Sequence, residues 1–486
     1  MSADDPAIAG IGAYAPRLRV DGEAFEAAWG QFRAGGVERT AVPEADEDAL
    51  TMAVEAARRG VDVADADGTD LAYVGLATTT PPMAEEDLTA RLASALGAPT
   101  GVTTRTATGS TRAGAQALDA ALDAGPWGEA GNGNGAGTVG VVVASDCPRG
   151  APDSEIEHAA GAGAAAVVLD GDGPGSVRDR SSYVEPYPGT RFRPDGEPET
   201  DGLGITAYDR EAFRTALGGA VDGLPGFDVD AAAVQSPDGS LPYRVVDTLG
   251  VDAGTIAAGS TVHDLGDTGA ASTLLGLASA LDQGAEQVLL AAYGSGAGAD
   301  AMLVDGAEVP VAAALDGRTE LSYPEYLRRR GEVTAGEPEG GGAYVSVPAW
   351  QRTHPQRHRL VAGECRACAA LNVPPEGACR ACNERPSYET VALPGTGTVE
   401  AVTTIAQGGA PPEFVAQQSR SGPYVSAVVA FDGPGGDRTV SAPTQVVGPA
   451  ETVERGTSVV ATIRRIYEQE GVVRYGFKCL PASARR

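Results

Sequence analysis

Residues 365–382 read CRACAALNVPPEGACRAC, and this stretch decides the fold of the C-terminal part of the chain. It contains two CxxC pairs, Cys365/Cys368 and Cys379/Cys382, separated by ten residues. Each pair can direct two thiolates at one ion from a tight turn, and four thiolates complete a tetrahedral zinc shell. Because no coordination position stays open for water, the spacing predicts a structural zinc ribbon rather than a catalytic zinc. Free thiols or two disulfides are the weaker alternatives.

The residues around this stretch indicate how the chain is divided. Downstream, short alternating segments with turn signals predict a small β-barrel over residues 386–486. Residues 350–385 are predicted to form a helix and the zinc ribbon. The Gly- and Glu-rich residues 331–349 are predicted to be a flexible linker. Residues 1–330 would then form a much larger body.

The body alternates strand and helix patterns, which predicts an α/β architecture. Nearly continuous apolar strands indicate mixed sheets covered by helices, and the rough repetition of the pattern predicts two similar halves. The polar residues 171–204, rich in Pro and Gly, are predicted to be an inserted loop or the connection between the halves. The expected helices are Ala45–Val63, Glu86–Leu96, Arg112–Leu122, Ala271–Asp282 and Leu321–Gly331. The expected strands are Leu71–Ala77, Val139–Ser145, Ala164–Leu169, Ala231–Gln235, Val288–Ala292 and Ala301–Val304.

The charge of the chain argues against some classes of function. The formal net charge is −30, and Lys478 is the single lysine. No basic stripe is present to neutralise phosphates, so we do not expect a nucleic-acid partner. A carboxylate-rich, lysine-poor surface is typical of proteins in very salty cytosol, where screening reduces self-repulsion. We therefore predict a halophilic source; an acidic surface for cations or partners is the alternative.

The sequence contains no sign of a membrane or secretory segment. No apolar run approaches the ~18 residues that span a bilayer. The first residues, MSADDPAIAGIGAYAP, lack the basic and apolar regions of a signal peptide. We therefore predict a cytoplasmic protein without a membrane partner.

The C-terminal part resembles a known family. The segments that carry the likeness are HRLVAGECRACAALNVPPEGACRAC, GTGTVEAVT and the terminal YGFK. Residues 350–483 resemble the zinc-ribbon/OB-fold proteins that partner thiolase-fold enzymes acting on acyl-CoA. The resemblance implies that the barrel is an OB-fold, that it helps hold CoA or bridges two enzymes, and that a thiolase is a candidate partner. Oligonucleotide binding, another use of OB-folds, fits the acidic chain poorly.

The body resembles archaeal-type 3-hydroxy-3-methylglutaryl-CoA (HMG-CoA) synthase. The likeness is carried by GIGAYAPRLRV, VPEADEDALTMAVEAARR, TRAGAQAL, AVQSPDGSLP, GDTGAASTLLGLASALD and YGSGAGADAM. It implies a duplicated thiolase-like fold with five layers (αβαβα), a CoA thioester as ligand and a homodimer formed through the body. It also implies that the glycine-rich loop with Gly294, Ser295 and Gly296 lies near the active site.

The resemblance also implies that four catalytic positions are substituted. The family's nucleophilic cysteine begins a CKAGTAAL-like helix, where this chain has Thr111. Its histidine lies in an H-x-P turn, where this chain has Gln235. Ala77 stands at the position of its glutamate and Asp267 at that of its asparagine. A threonine hydroxyl does not attack a thioester without a base beside it, and glutamine does not shuttle protons near neutral pH.

Other residues are candidates to replace these groups. Cys147 at the end of a strand is an alternative nucleophile, and the body's histidines, His158 and His263, are interpreted as structural. Asp267 or a tyrosine such as Tyr293 could serve as a general base. Cys479 is interpreted as a small buried apolar residue.

Three hypotheses for function follow. The first is an HMG-CoA-synthase-like body fused to a zinc-ribbon/OB-fold domain that binds acyl-CoA thioesters without Cys-dependent condensation. The second is a lyase that cleaves β-hydroxyacyl-CoA by retro-aldol chemistry, which needs a base but no acyl-enzyme. The third is a scaffold that bridges a thiolase and a synthase. The family implies an acyltransferase, but the substitutions leave catalytic activity itself open.

Overall fold

The computed structural model describes residues 6–125, 139–317, 319–333, 356–406, 412–448, 452–469 and 471–484. The chain forms two compact units. The first comprises Met1–Glu44 and Asp48–Tyr326, and the second Ala45–Glu47 and Leu327–Arg486. Most of the predicted linker 331–349 and the start of the predicted segment 350–385 lie outside the described residues. The domain boundaries at 330, 349 and 385 therefore stay predictions.

A ten-stranded mixed sheet is the frame of the first unit, and a separate three-stranded sheet (β13-β2-β3) lies beside it. Their strands are β1 (Ala7–Tyr14), β2 (Leu18–Asp21), β3 (Arg39–Val42), β4 (Leu71–Ala77), β5 (Thr103–Ala107), β6 (Val139–Asp146), β7 (Gly163–Asp170), β8 (Gly175–Tyr183), β9 (Ala231–Val234), β10 (Gln287–Gly294), β11 (Ala297–Asp305), β12 (Val311–Ala314) and β13 (Thr319–Glu320).

The strand order repeats in two halves of the large sheet. The order is β1-β7-β6-β4-β5 in the first half and β8-β11-β10-β9 in the second. In each half the first two pairings are antiparallel and the next is parallel. This repetition confirms the predicted duplication.

The helices of the body cover both faces of the sheet and fill the space between its halves. They are α1 (Gly22–Trp29), α2 (Ala49–Val63), α3 (Leu88–Leu96), α4 (Ala113–Ala124), α5 (Glu155–Ala159), α6 (Thr206–Val221), α7 (Val246–Leu249), α8 (Ala253–Ala258), α9 (Val262–Leu265), α10 (Ser272–Asp282) and α11 (Tyr323–Arg330).

Alternate residues of each strand point to opposite faces of the sheet, and each face is covered by helices. Helices α4 and α10 lie in the middle and share one apolar core with alternate residues of both halves, such as Ile11, Val167 and Leu290. Helix α2 covers the opposite face of the first half, where a Cβ on Gly12 would meet Ala56 O at 2.1 Å. Helix α6 covers the outer face of the second half. The result is the predicted αβαβα arrangement, which is confirmed.

The structure corrects the predicted start of the first long helix and the interpretation of residues 171–204, besides shifts of one or two residues at other helix ends. The helix expected at Ala45 begins at Ala49, because Asp48 caps it: Asp48 Oδ1 accepts from Thr51 N, and Thr51 Oγ1 accepts from Asp48 N. Residues 171–204 are not only a loop, since they contain β8. The sequence of β8 is polar and its side chains are half-exposed, so it does not have the apolar pattern of a strand. Nevertheless, β8 pairs with β11.

The second unit contains a small sheet, a closed barrel and one helix between barrel strands. The small sheet has the order β15-β14-β16, and the barrel closes in the order β17-β18-β19-β21-β20. The elements are β14 (Val361–Cys365), β15 (Leu371–Asn372), β16 (Tyr388–Ala392), β17 (Thr396–Ile405), α12 (Pro412–Ser421), β18 (Tyr424–Asp432), β19 (Thr439–Val446), β20 (Ser458–Gln469) and β21 (Val472–Pro481). The predicted small barrel is confirmed, and Leu371 of the small sheet packs in its core with Phe431 and Cys479.

A membrane-crossing helix was not expected, and none of the described helices is both long and apolar enough to be one.

Candidate functional site

Thr111 lies just before α4, and its hydroxyl group is engaged by the turn after β10. Thr111 Oγ1 donates a hydrogen bond to the carbonyl oxygen of Tyr293 at 2.7 Å and accepts one from Ser295 N at 3.0 Å. Thr111 N donates to Ser295 Oγ at 3.1 Å. Thr111 is only 4% exposed. The hydroxyl therefore ties the start of α4 to this turn.

Gln235 follows β9 and lies on the same edge of β10 as Thr111. Gln235 N donates to Ala291 O at 2.8 Å, whereas Thr111 binds Tyr293 O. Carbonyl groups two residues apart on a strand point to the same side and are separated by about 7 Å. The structure thus places Thr111 and Gln235, two of the positions predicted to be substituted, at the same edge of β10.

Hydrogen bonds connect Asp267 to Gln235 through Gly269. Gln235 Nε2 donates to Gly269 O at 2.9 Å, and Gly269 N donates to Asp267 Oδ1 at 2.9 Å. Asp267 Oδ2 forms an ion pair with Arg191. Gly269 has φ of 54°, and a Cβ there would meet Asp146 Oδ2 at 2.3 Å, so only glycine fits.

Ala77, the fourth position predicted to be substituted, ends β4 beside the buried carboxylate of Asp146. The next residue, Thr78, donates through Oγ1 to Asp146 Oδ1 at 2.8 Å. Asp146 also accepts from Thr79 and Thr80 and, at 2.7 Å, from Ala270 N. Asp146 therefore connects the end of β4 to Ala270 through hydrogen bonds. The Ala77 methyl itself is buried and offers no acid–base group.

Gly294 ends β10, and Ser295 and Gly296 form the turn to β11. Ser295 binds Thr111, and a Cβ on Gly294 would meet Ser110 Oγ at 2.8 Å. Gly296 has φ of 70°, which favours glycine. The turn is shorter than the sequence predicts, because β11 begins at Ala297.

A segment that we call the strap, residues 184–205, is fastened to these residues by polar contacts. Tyr187 N donates to Gly296 O at 3.1 Å, and Gly296 N donates to Thr190 Oγ1 at 3.2 Å. Arg191 binds Asp267, and Arg193 donates to Thr79 O. The strap therefore contacts three elements of the site.

Cys147 and Tyr293, the alternative reactive groups, are poorly suited to ionise. Burial raises the pKa of the Cys147 thiol to about 12, although the Thr80 hydroxyl lies 3.7 Å from its sulfur. Burial also raises the pKa of Tyr293 to about 12. Its hydroxyl donates to Thr190 Oγ1 at 3.3 Å. Both groups stay protonated near neutral pH.

Both histidines of the body have hydrogen-bonded positions away from Thr111. His158 Nδ1 accepts from Arg33 N at 3.0 Å, its ring stacks on Phe32, and burial lowers its pKa. His263 lies between Tyr243 Oη at 2.9 Å and Gly36 O at 2.5 Å. Neither is among the hydrogen-bonding partners described for Thr111, Gln235 and Asp267.

Two residues of the network were not predicted. Asp146 closes the continuous apolar strand VGVVVAS, and a carboxylate in that position is a signal that could have revealed it. Arg191 lies in the polar stretch 171–204, where nothing in the sequence distinguishes it from neighbouring charged residues.

The four ribbon cysteines form a second site in the other unit. Their sulfur atoms all lie within 4.8 Å of one another, with Cys365 Sγ 3.8 Å from Cys382 Sγ and Cys368 Sγ 3.7 Å from Cys379 Sγ. A tetrahedral zinc with Zn–S bonds of about 2.3 Å requires sulfur separations of about 3.8 Å. The residues present therefore fit a zinc ion.

The backbone around the cysteines repeats in the two CxxC turns. Ala369 N donates to Cys365 O at 2.7 Å, and Asn383 N donates to Cys379 O at 2.9 Å. Ala369 and Asn383 both have positive φ, 58° and 60°. Each turn thus presents its two sulfurs in the same way, as the sequence spacing predicts.

Comparison with known proteins agrees with both parts. Residues 352–389 match the family described as ChsH2, rubredoxin-like zinc ribbon domain. The hydroxymethylglutaryl-CoA synthase of Methanopyrus kandleri is 30% identical over 355 residues, covering 68% of this chain and 95% of that protein. The synthase of Pyrobaculum neutrophilum is 30% identical over 342 residues, covering 66% and 95%.

Solved structures agree on the fold. MvaS in complex with 3-hydroxy-3-methylglutaryl coenzyme A superposes with a TM-score of 0.57 at 21% identity, covering 70% of this chain and 94% of that one. 3-Oxoacyl-[acyl-carrier-protein] synthase III from Aquifex aeolicus VF5 gives 0.53 at 18% identity, covering 62% and 99%. Together with the sequence relatives, these likenesses confirm the predicted resemblance, and the chain belongs to the hydroxymethylglutaryl-CoA synthase family, with a zinc ribbon domain added at its C-terminal end.

Proposed function

We propose that the body binds acyl-CoA thioesters without Cys-dependent condensation. The observation that supports this proposal is the hydrogen bonding of the Thr111 hydroxyl, which donates to Tyr293 O and accepts from Ser295 N. Condensation through an acyl-enzyme needs a nucleophile that is activated by a lowered pKa or by a base beside it. The printed partners of the Thr111 hydroxyl are instead two main-chain groups, Tyr293 O and Ser295 N, which do not take up its proton.

The residues that remain still favour a polar ligand. Gln235, Asp267 and Arg191 form a hydrogen-bonded group beside the end of β10. Two solved relatives of this fold are described in complex with HMG-CoA and with CoA. A CoA thioester is therefore the ligand that we propose for this chain.

Incubation with radiolabelled acetyl-CoA tests the loss of condensation. We expect no acid-stable protein adduct and no product with acetoacetyl-CoA, while isothermal titration detects binding of acetyl-CoA. The Thr111→Cys variant is the matched comparison, because its thiol can be acylated by a bound thioester. A labelled adduct on Thr111 or Cys147 in the unaltered protein would contradict the proposal.

A retro-aldol lyase acting on β-hydroxyacyl-CoA is the second candidate function. The observation that favours it is Asp267, a 2% exposed carboxylate paired with Arg191. Asp267 would take the proton of the β-hydroxyl, the Cα–Cβ bond would break, and its electron pair would form the thioester enolate. The proton then returns to Cα, giving a carbonyl compound and a shorter acyl-CoA with no other reactant.

Mass spectrometry of 3-hydroxyacyl-CoA incubations tests the lyase. We expect a shorter acyl-CoA and the matching aldehyde or ketone, both lost in Asp267→Asn. Tyr293→Phe should keep the activity, because burial leaves Tyr293 protonated near neutral pH. Thioester binding without cleavage would leave the first proposal standing and exclude the lyase. Capture of a thiolase without binding of any thioester would favour the scaffold.

For the second unit we propose a structural zinc and an OB-fold. The sulfur separations support zinc, and the order β17-β18-β19-β21-β20 is that of a five-stranded Greek-key barrel. A role in holding CoA, or in contacting a thiolase, follows from the family resemblance. Titrating the unaltered chain with a thiolase of the same source, followed by analytical ultracentrifugation, tests the partner.

We also propose a homodimer and a halophilic, cytoplasmic setting. Strand β5 is at the edge of the large sheet, pairs with β4 alone among the described strands, and is half-exposed along its length, so it can accept a strand from a second copy. The single lysine is fully buried, which leaves arginine as the basic residue of the surface. Light scattering tests the dimer, and the dependence of Tm on KCl tests the salt requirement.

A further inference from the structure

Asn372 lies between the two CxxC turns of the ribbon and is hydrogen-bonded to the main chain of both. It ends β15 and is only 2% exposed. Asn372 Nδ2 donates to Ala370 O at 3.0 Å, and Ala370 O also accepts from Cys365 N at 2.9 Å. On the other side, Asn372 Oδ1 accepts from Arg380 N at 2.9 Å. The side chain therefore connects the first turn to the second.

The same amide group also reaches a ribbon sulfur. Asn372 Nδ2 donates to Cys379 Sγ at 3.5 Å, and Ala381 N donates to this sulfur at 3.4 Å. The main-chain N–H of Arg380 determines the direction of the amide, because it only donates and must face Asn372 Oδ1. The NH2 group of Asn372 is therefore the end that faces Cys379 Sγ.

This contact makes two otherwise similar turns unequal. Asn372 follows Cys365 by seven residues, and the residue at the same distance after Cys379 is Pro386, whose side chain has no donor. Within the described ranges, Cys379 is the one ribbon cysteine whose sulfur accepts from an asparagine. Cys379 is also fully buried, whereas Cys368 is exposed. Asn372 thus acts on one particular ligand position of the four.

A contact of this kind has a known effect on metal sites. Four thiolates carry more negative charge than one zinc ion neutralises, and an N–H donor reduces the charge on the sulfur that accepts it. Groups that orient a ligand in this way are worth about 10–100-fold in metal affinity when they are removed. The effect is exerted without any bond to the metal.

We propose that Asn372 is a positioning residue of the ribbon's metal site, which connects the two CxxC turns and donates to the sulfur of Cys379. The inference rests on the proposed structural zinc and assigns a role to a residue that is not a ligand. Loss of the donor should weaken metal binding and change the electronic state of the Cys379 sulfur. A residue with a purely structural role would affect folding alone.

Two substitutions separate the parts of this role. Asn372→Asp keeps an acceptor for Arg380 N but replaces the donor with a negatively charged oxygen beside Cys379 Sγ. Asn372→Leu removes donor and acceptor without adding charge. Ala378→Asp, at an exposed position next to Cys379 in the sequence, is the matched control for the added charge.

Competition between the full chain at high KCl and a chromophoric zinc chelator measures the zinc affinity. We expect it to fall by about 10–100-fold in Asn372→Leu and at least as far in Asn372→Asp. Ala378→Asp should match the unaltered chain, because salt screens an exposed charge. Unchanged affinity in both Asn372 variants would overturn the inference. Failure of the unaltered chain to bind zinc would overturn the proposed structural zinc, and this inference with it.

Cobalt(II) in place of zinc tests the contact with the sulfur directly. Absorption by thiolate-to-cobalt charge transfer reports the energy of the sulfur electrons, which an N–H donor lowers. We expect this band to move to longer wavelength in Asn372→Leu and farther in Asn372→Asp, and to stay in place in Ala378→Asp. The spectrum is recorded on the metal-loaded chain, so a variant that folds only with metal is still tested. Weaker binding with an unchanged cobalt spectrum would show that Asn372 acts on folding alone and would overturn the proposal.

Discussion

Thr111 and Ser295 exchange two hydrogen bonds, from Thr111 N to Ser295 Oγ and from Ser295 N to Thr111 Oγ1. This reciprocal pair fastens the start of α4 to the turn between β10 and β11. The Thr111 hydroxyl, which the resemblance predicts to stand at the family's nucleophile position, therefore has a structural role.

Replacement of Thr111 by valine is expected to destabilise the body. Valine keeps the shape but leaves Tyr293 O and Ser295 N without their partner, which should lower the free energy of unfolding by about 2–4 kcal/mol. Thr111→Ser keeps the hydroxyl and loses one methyl group, worth about 1 kcal/mol. Denaturant unfolding at high KCl measures both. Equal stability of the two variants would contradict the structural role of the hydroxyl.

Cys147 is expected to resist alkylation until the pH is well above neutral. Because burial raises its thiol pKa to about 12, the thiolate fraction is very small at pH 8 and rises tenfold with each pH unit. Iodoacetamide labelling followed by peptide mass spectrometry measures the rate, and the urea-unfolded chain, with a thiol pKa near 8.5, is the control. Rapid labelling at pH 7 would contradict the raised thiol pKa and would support Cys147 as a nucleophile.

Zinc removal is expected to unfold the ribbon sheet. Cys365 ends β14 and Cys379 is fully buried, so loss of the ion leaves four thiols crowded within 4.8 Å of one another. The expected zinc content is one ion per chain by plasma emission spectroscopy, lowered in Cys379→Ser. Hydrogen exchange after chelation should increase in β14–β16, whereas β6 and β7 of the body should be unchanged. Unaltered exchange in β14–β16 would contradict a structural role for the metal.

The sequence predicts the strands and helices of this molecule better than the contacts of its candidate functional site. Strand Leu71–Ala77 lies where its apolar run predicts, because a fully buried strand has a distinctive pattern. Strand β8 escaped prediction because its exposed face carries charged residues such as Arg178 and Arg180. The four cysteines were predictable as a group, since CxxC spacing brings their sulfurs together by local geometry alone.

The network around Gly269 was only partly predictable. The family resemblance named Thr111, Gln235 and Asp267, but only tertiary structure shows that Arg191 pairs with Asp267. Their contact joins residues far apart in sequence, and no local pattern encodes such a contact. The direction of the Gln235 amide likewise depends on Gly269 O.

The single lysine of the chain offers a pH-dependent prediction within the second unit. Lys478 Nζ lies 2.7 Å from Asp46 Oδ2 and 2.8 Å from Gln417 Oε1, and the side chains of Lys478 and Asp46 are 0% and 5% exposed. Burial acts to raise the pKa of Asp46, but attraction to Lys478 and Arg464 and the hydrogen bond from Lys478 outweigh it, so the pKa is lowered. A lowered carboxyl pKa stabilises the folded chain above the unfolded value of about 3.9, and this contribution is lost as the pH falls through the folded value.

Lys478→Met should therefore destabilise the chain most near neutral pH. Removing one partner leaves a buried carboxylate that only Arg464 still attracts, which costs up to about 3–5 kcal/mol. Without the attraction and the hydrogen bond of Lys478, the Asp46 pKa should be higher than in the unaltered chain. The carboxyl should then become protonated earlier on acidification, and the deficit relative to the unaltered chain should shrink from pH 7 to pH 4. The double variant Asp46→Asn with Lys478→Met should recover most of the loss, because it removes both charges. Urea unfolding across this pH range measures all three proteins, and a deficit that stays constant with pH, or that the second substitution does not relieve, would show that the Lys478–Asp46 charge pair is not its origin.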